Sequence, residues 1–119
     1  MLGGEPIRIV GYPVEMVMAE KYVTAIQRGT ANTRWRDFVD LDRLAQTSYD
    51  QTILAEAIQR VAAHRGVTIV PLHEVLAGYA DIAQQRWTAW RRKQHLETTT
   101  PESFSDLLAP IFQLEHDIQ

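Results

Sequence analysis

Two ionisable residues stand where apolar packing is expected, and their charges are complementary. Lys21 lies near the middle of a stripe formed at helical spacing by Val14, Val17, Met18, Tyr22 and Ala25. An ammonium there either snorkels to water along its methylene stem or meets an anion, because burying it alone is prohibitive. Asp37 borders the next apolar arc (Trp35, Phe38, Val39, Leu41, Leu44 and Ala45), one turn before Leu41. Arg36, Asp40 and Arg43 fall on the remaining side of that helix, and Asp42 falls inside the arc. Helices joined by a short connection usually pack antiparallel, which predicts that Lys21 comes near Asp37. Two chemistries fit such a pair. It is either a half-buried ion pair that locks a hairpin, or part of a functional site.

The elements that must position these groups follow from turn chemistry and periodicity. Ile7–Val10 is a β-branched run between Gly3-Gly4 and Gly11, and it predicts one strand that needs neighbours. Val67–Val70 is a second such run and its candidate partner. Pro13 suits a first helical position, and the segment to Arg28 reads as helix, stopped by Gly29. After the capping loop Thr30-Ala31-Asn32-Thr33, a second helix is expected over about Arg34 to Gln46. A third is expected from about Asp50 to Arg65, with Ser48 and Asp50 as rival caps and Gly66 as its stop. A long helix is predicted from about His73 to Gln94. A last one opens at Thr100-Pro101-Glu102, and Pro110 is expected to kink or end it. The fold class is therefore mainly α, about five helices in a compact bundle with one or two short strands, in a single domain over 1–119.

Composition narrows the function classes. The 119 residues, 45% of them hydrophobic, suffice for one domain with a modest core and exclude a multi-domain enzyme. Twelve Lys and Arg against fifteen Asp and Glu give −3, which excludes a histone-like basic coat. The absence of cysteine removes disulfide scaffolds, thiolate zinc sites and thiol nucleophiles. No apolar run approaches the roughly 18 residues of a membrane helix, and MLGGEPIRIV lacks a signal-peptide layout, so a cytoplasmic protein is expected. His64, His73, His95 and His116 show no metal spacing, so no metal ligands are assigned in this chain. Charge is uneven: Arg86, Arg91, Arg92 and Lys93 lie in an acid-free stretch, and five acids without Lys or Arg follow it. Trp87 and Trp90, three apart beside Arg91, Arg92 and Lys93, form a candidate surface for RNA or a partner protein. Tryptophans at that spacing equally suit a core.

The string Tyr12-Pro13-Val14-Glu15, Ala19-Glu20-Lys21, Arg28-Gly29, Asn32-Thr33-Arg34 and Arg36-Asp37-Phe38-Val39-Asp40-Leu41 is similar to the AbiEii family of nucleotidyltransferase-like toxins. These belong to bacterial toxin–antitoxin and phage-defence systems. The likeness is dense over 7–46, a strand plus a helical hairpin, whereas the C-terminal helices over 73–119 agree only in helical character. It implies a nucleotidyltransferase core in which Lys21 and Asp37 are the catalytic pair and Arg34 and Arg36 contact phosphate. It also implies a nucleoside triphosphate and Mg²⁺ for the complete enzyme, a tRNA substrate and an antitoxin partner.

One departure is concrete. The family carries a Gly-Ser turn and then Asp-x-Asp well upstream of the lysine, and those carboxylates hold the metal. Here the twenty residues before Lys21 contain no aspartate. Gly29-Thr30 followed by Asp40-Leu41-Asp42 imitates that motif, but positions i and i+2 of a helix point about 200° apart and cannot share a metal. The expectation is a fragment or truncated homologue, inactive alone, with no resident cofactor. Its metal carboxylates would come from an upstream reading frame or a complementary N-terminal chain. The alternative is a non-catalytic helical module that binds a partner protein or tRNA.

Overall fold

The computed structural model describes residues 13–31 and 35–118, and these form six α-helices and one 3-10 turn, with no strand among them. The expected strand Ile7–Val10 lies outside the described residues. Val67–Val70 is not a strand: it is an irregular connection, and Ile69 and Val70 are exposed.

Helix α1 (Val14–Arg28) starts behind Pro13, whose carbonyl accepts from the Met16 N–H at 3.0 Å. The 3-10 turn Gly29–Ala31 leads towards α2 (Trp35–Ala45). Helix α3 (Gln51–Arg65) is capped by Asp50, not Ser48, because the Asp50 carboxylate accepts from the Ile53 N–H at 2.9 Å. It ends at Gly66 in the left-handed region (φ 69°), with the Val67 N–H returning to the Ala62 carbonyl at 2.8 Å. Helices α1 and α3 run the same way. Glu15 at the start of α1 accepts from the Asp50 N–H at 2.7 Å, and Thr24 and Glu20 further along accept from Arg65 at the end of α3.

The predicted long helix from His73 is two helices. The short α4 (Leu72–Val75) is followed by a turn, and α5 (Tyr79–Lys93) begins after Gly78, which sits at φ 76°. A left-handed residue cannot continue an α-helix, so the axis is reset there. Helix α6 (Phe104–Asp117) starts later than expected. Ser103 is its cap and accepts from the Asp106 N–H at 3.3 Å. Pro110 does not end it. The missing bond to the Asp106 carbonyl is offset by Leu107, Leu108, Ile111 and Leu114, all buried on both sides of the proline.

Helix α1 packs against α2 and α3, and α6 against α2 and α5. Phe104 is the hub of the α2–α5–α6 core. Its ring lies 5.5 Å from Trp35, 5.6 Å from Phe38, 5.6 Å from Tyr79 and 5.5 Å from Trp87, mostly edge to face. This cluster holds one side of α2 and thereby turns Asp37 and Asp40 towards α1.

Candidate functional site

On α1, Met18, Ala19, Tyr22 and Ala25 are buried, and Lys21 leaves the edge of this core towards α2. On α2, Trp35, Phe38, Val39 and Leu41 are buried against the core. Asp37 and Asp40 are three apart, so they share a side of the helix and face the same neighbour. That neighbour is Lys21. Its Nζ lies 3.1 Å from Asp37 Oδ1 and 3.2 Å from Asp40 Oδ2. All three side chains are partly sheltered from water, which weakens screening and strengthens both contacts. Burial alone would pull the Lys21 pKa down, but hydrogen bonds to Asp37 and Asp40, with their charges, leave it above the ordinary lysine value. Lys21 is a firmly held cation.

Asp40 does more than the sequence suggested. It was expected on the far side with Arg36 and Arg43, yet its two oxygens divide between two cations. Oδ2 meets Lys21, and Oδ1 lies 3.5 Å from Arg36 Nε in an i,i+4 pair. The signal that could have exposed this was the i,i+3 spacing of Asp37 and Asp40, which places both on the hairpin seam. Arg34, the other expected phosphate contact, lies outside the described residues. Arg36 is mostly exposed and makes its ion pair with Asp40 through Nε.

Asp42, two residues on, is only 6% exposed. Among the described residues no donor reaches its carboxylate; the side-chain contact at this residue is Gln46 Nε2 to the Asp42 carbonyl at 3.1 Å. Burial lifts its pKa to about 6, against a smaller opposing effect of the neighbouring Arg43 charge. Asp40 and Asp42 therefore occupy different environments and do not form a metal-binding Asp-x-Asp pair.

The described residues do not fit a magnesium centre. Among the described residues no three His, Asp or Glu side chains converge to hold a metal ion. The two carboxylates that converge already bind an ammonium. Outside the described residues the sequence offers one acid, Glu5.

Elsewhere, Trp87 is fully buried, donates from Nε1 to the Pro101 carbonyl at 3.2 Å and stacks on Trp90 at 5.8 Å. Its ring faces no solvent. Arg91 donates from Nε to Thr100 Oγ1 at 3.0 Å and from Nη2 to the Glu97 and Thr100 carbonyls, so it clamps the 96–100 turn. Arg92 and Lys93 are exposed, and Trp90 is half-buried.

A separate cavity of about 340 Å³ lies between α1, α3 and the end of α6, lined by Tyr22, Ile58, Ile69, Val70, Glu115 and Ile118 among others. Neither Lys21, Asp37 nor Asp40 borders it. At its base Glu115, 3% exposed, accepts from the Leu72 N–H, the His73 N–H at 3.1 Å and His73 Nδ1 at 2.8 Å. Tyr22 is hydrogen-bonded to the same carboxylate. Its burial, with the Glu115 charge and hydrogen bond, raises the phenol pKa well above the usual tyrosine range. This network fastens α6 and α4 to α1.

No described helix is long and apolar enough to cross a membrane. No curated relative and no solved structure gives a match. The family described as "Nucleotidyl transferase AbiEii toxin, Type IV TA system" matches residues 2–110, which takes in the Lys21–Asp37–Asp40 seam and reaches halfway along the C-terminal helix. A match over that much of the sequence decides the matter: the chain belongs to the AbiEii nucleotidyl transferase toxin family.

Proposed function

We propose that this chain carries the lysine-and-aspartate part of a nucleotidyltransferase site, and that Lys21 binds the phosphates of a nucleoside triphosphate. The observation that carries this reading is Lys21 Nζ held at 3.1 and 3.2 Å by Asp37 and Asp40 at a half-sheltered seam, with Arg36 beside it. An ammonium has three N–H donors; two go to the carboxylates and the third is left for a phosphate oxygen. Asp37 orients the lysine and keeps it charged. The carboxylates that hold the catalytic metal are supplied from outside these 119 residues, by an upstream segment or a complementary chain. Alone, the chain binds nucleotide without transferring it.

A second reading, a non-catalytic module for tRNA or an antitoxin, is favoured by Arg92 and Lys93. They stand exposed at the end of α5, in a stretch with no acid from Arg86 to His95.

One experiment addresses both. Purified chain is incubated with Mg²⁺, tRNA and radiolabelled nucleoside triphosphates, and ATP affinity is measured by titration with and without tRNA. The expected result is no incorporation into tRNA, measurable ATP binding, and a loss of about tenfold or more in Lys21→Met, the scale of one charge-assisted hydrogen bond. Incorporation would overturn the assignment of the metal carboxylates to another segment. Salt-sensitive tRNA binding together with ATP binding indifferent to Lys21→Met would favour the module.

A further inference from the structure

The cavity between α1, α3 and the end of α6 has the make-up of a ligand pocket rather than of a packing defect. Its volume of about 340 Å³ lies at the small end of the roughly 300–1,000 Å³ that such pockets span. That room suits one ring with a short side arm. Most of the wall is apolar, with Ile58, Ile69, Val70 and Ile118 around it. Ile69 and Val70 are two of the four exposed large apolar side chains among the described residues, and both border this one cavity. The backbone groups of Thr68, Ile69 and Val70 beside it form no hydrogen bond among the described residues.

Two polar side chains, Tyr22 and Glu115, converge at the base, and each is only 3% exposed. Glu115 carries the single charge of the cavity wall, since no Lys, Arg, His or second acid lines it. The His73 ring meets the same carboxylate and lines a different, smaller cleft. The Leu72 and His73 N–H groups, His73 Nδ1 and Tyr22 take up the acceptor positions of Glu115. The phenol oxygen of Tyr22 still has a lone pair for a further donor. A sheltered carboxylate with no cation in the wall favours a positive guest and repels a negative one.

We infer that this cavity is a binding site for a small organic cation, an arylalkylamine by class. Its ammonium donates to the Tyr22 oxygen beside Glu115, and its ring lies against Ile58, Ile69 and Val70. Anions are rejected, nucleotides among them. The site shares no residue with the Lys21–Asp37–Asp40 seam, so the inference stands apart from the nucleotide reading.

Three probes of nearly equal size and different charge test it: phenethylamine, phenethyl alcohol and hydrocinnamate. Each is titrated into the isotope-labelled chain while backbone amide resonances are followed. Phenethylamine should saturate with a Kd of about 1 mM, the range of a ligand of its size, with the largest shifts at Ile69, Val70 and Ile118. Phenethyl alcohol should bind about tenfold more weakly or worse, and hydrocinnamate should not saturate. Glu115→Gln weakens the fold as well as the site, so two milder variants complete the test, each checked by a thermal melt. Ile69→Lys, at an exposed position, should weaken phenethylamine about tenfold and admit hydrocinnamate. Ala55→Phe, which fills the cavity, should abolish binding of all three. Equal affinities for the three probes would overturn the inference, as would shifts centred away from the cavity. Phenethylamine binding unchanged in both folded variants, or no saturation by about 20 mM in the parent chain, would overturn it too.

Discussion

Replacing Asp42 by asparagine should make the fold more stable at neutral pH, although it removes a charged group from a protein whose site is built on charge. The Asp42 carboxylate is 6% exposed, and burial moves its pKa from 3.8 to about 6. A folded-state pKa above the unfolded one means that the folded protein binds the proton more tightly. Its contribution is therefore most favourable below about pH 4 and is lost as pH rises through about 6. The gap between the two values corresponds to roughly 3 kcal/mol at pH 7.5, an upper bound for the cost of keeping the charge buried. Asparagine has nearly the same shape and no charge, but its amide also finds no partner there among the described residues, which reduces the gain. The expected net effect is about 1–2 kcal/mol of stabilisation at pH 7.5, shrinking towards zero near pH 4. Urea unfolding followed by far-ultraviolet circular dichroism, at several pH values between 4 and 7.5, measures this directly. Destabilisation at pH 7.5, or a difference independent of pH, would refute the account and mean that the carboxylate is engaged as an anion.

Two other substitutions probe how the scaffold holds the seam. Glu115→Gln should cost about 2–4 kcal/mol, because an amide cannot accept from the Leu72 and His73 N–H groups, the His73 ring and Tyr22 together. A shift in the urea midpoint equivalent to less than about 0.5 kcal/mol would show that this network is not structural. Pro110→Ala restores a backbone N–H inside α6 and should stabilise by about 1 kcal/mol or more, read as a higher melting temperature. A lower one would mean that packing of the proline ring outweighs the lost hydrogen bond.

Local signals identified much of the structure because they act over a few residues. Pro13 and Gly29 bracket α1, Gly66 stops α3, and the apolar arc from Trp35 to Ala45 is the buried side of α2. The meeting of Lys21 with Asp37 also followed from local terms, since a short connection between amphipathic helices leaves few ways to pack them. The single helix expected from His73 failed at Gly78, where helical periodicity on both sides concealed a left-handed residue. Pro110 was expected to kink or end α6; the helix runs on past it, because four buried side chains outweigh one missing bond.

What no pattern in the chain could determine is which long-range neighbours each charged or aromatic group finds. Lys21 at an apolar stripe announced that it needed an anion, and its residue type fixed that much. That Asp40 joins Asp37 there and bridges to Arg36, while Asp42 is shut away without a donor among the described residues, depends on the rotation of α2. That rotation is set by Trp35 and Phe38 packing around Phe104, more than sixty residues later in the sequence. Trp87 and Arg91 likewise looked equally suited to a surface, until Pro101 and the 96–100 turn claimed them. Composition and periodicity specify the need of each side chain for a partner; only the packing of distant helices specifies the partner, because the energy that chooses it is shared among contacts far apart along the chain.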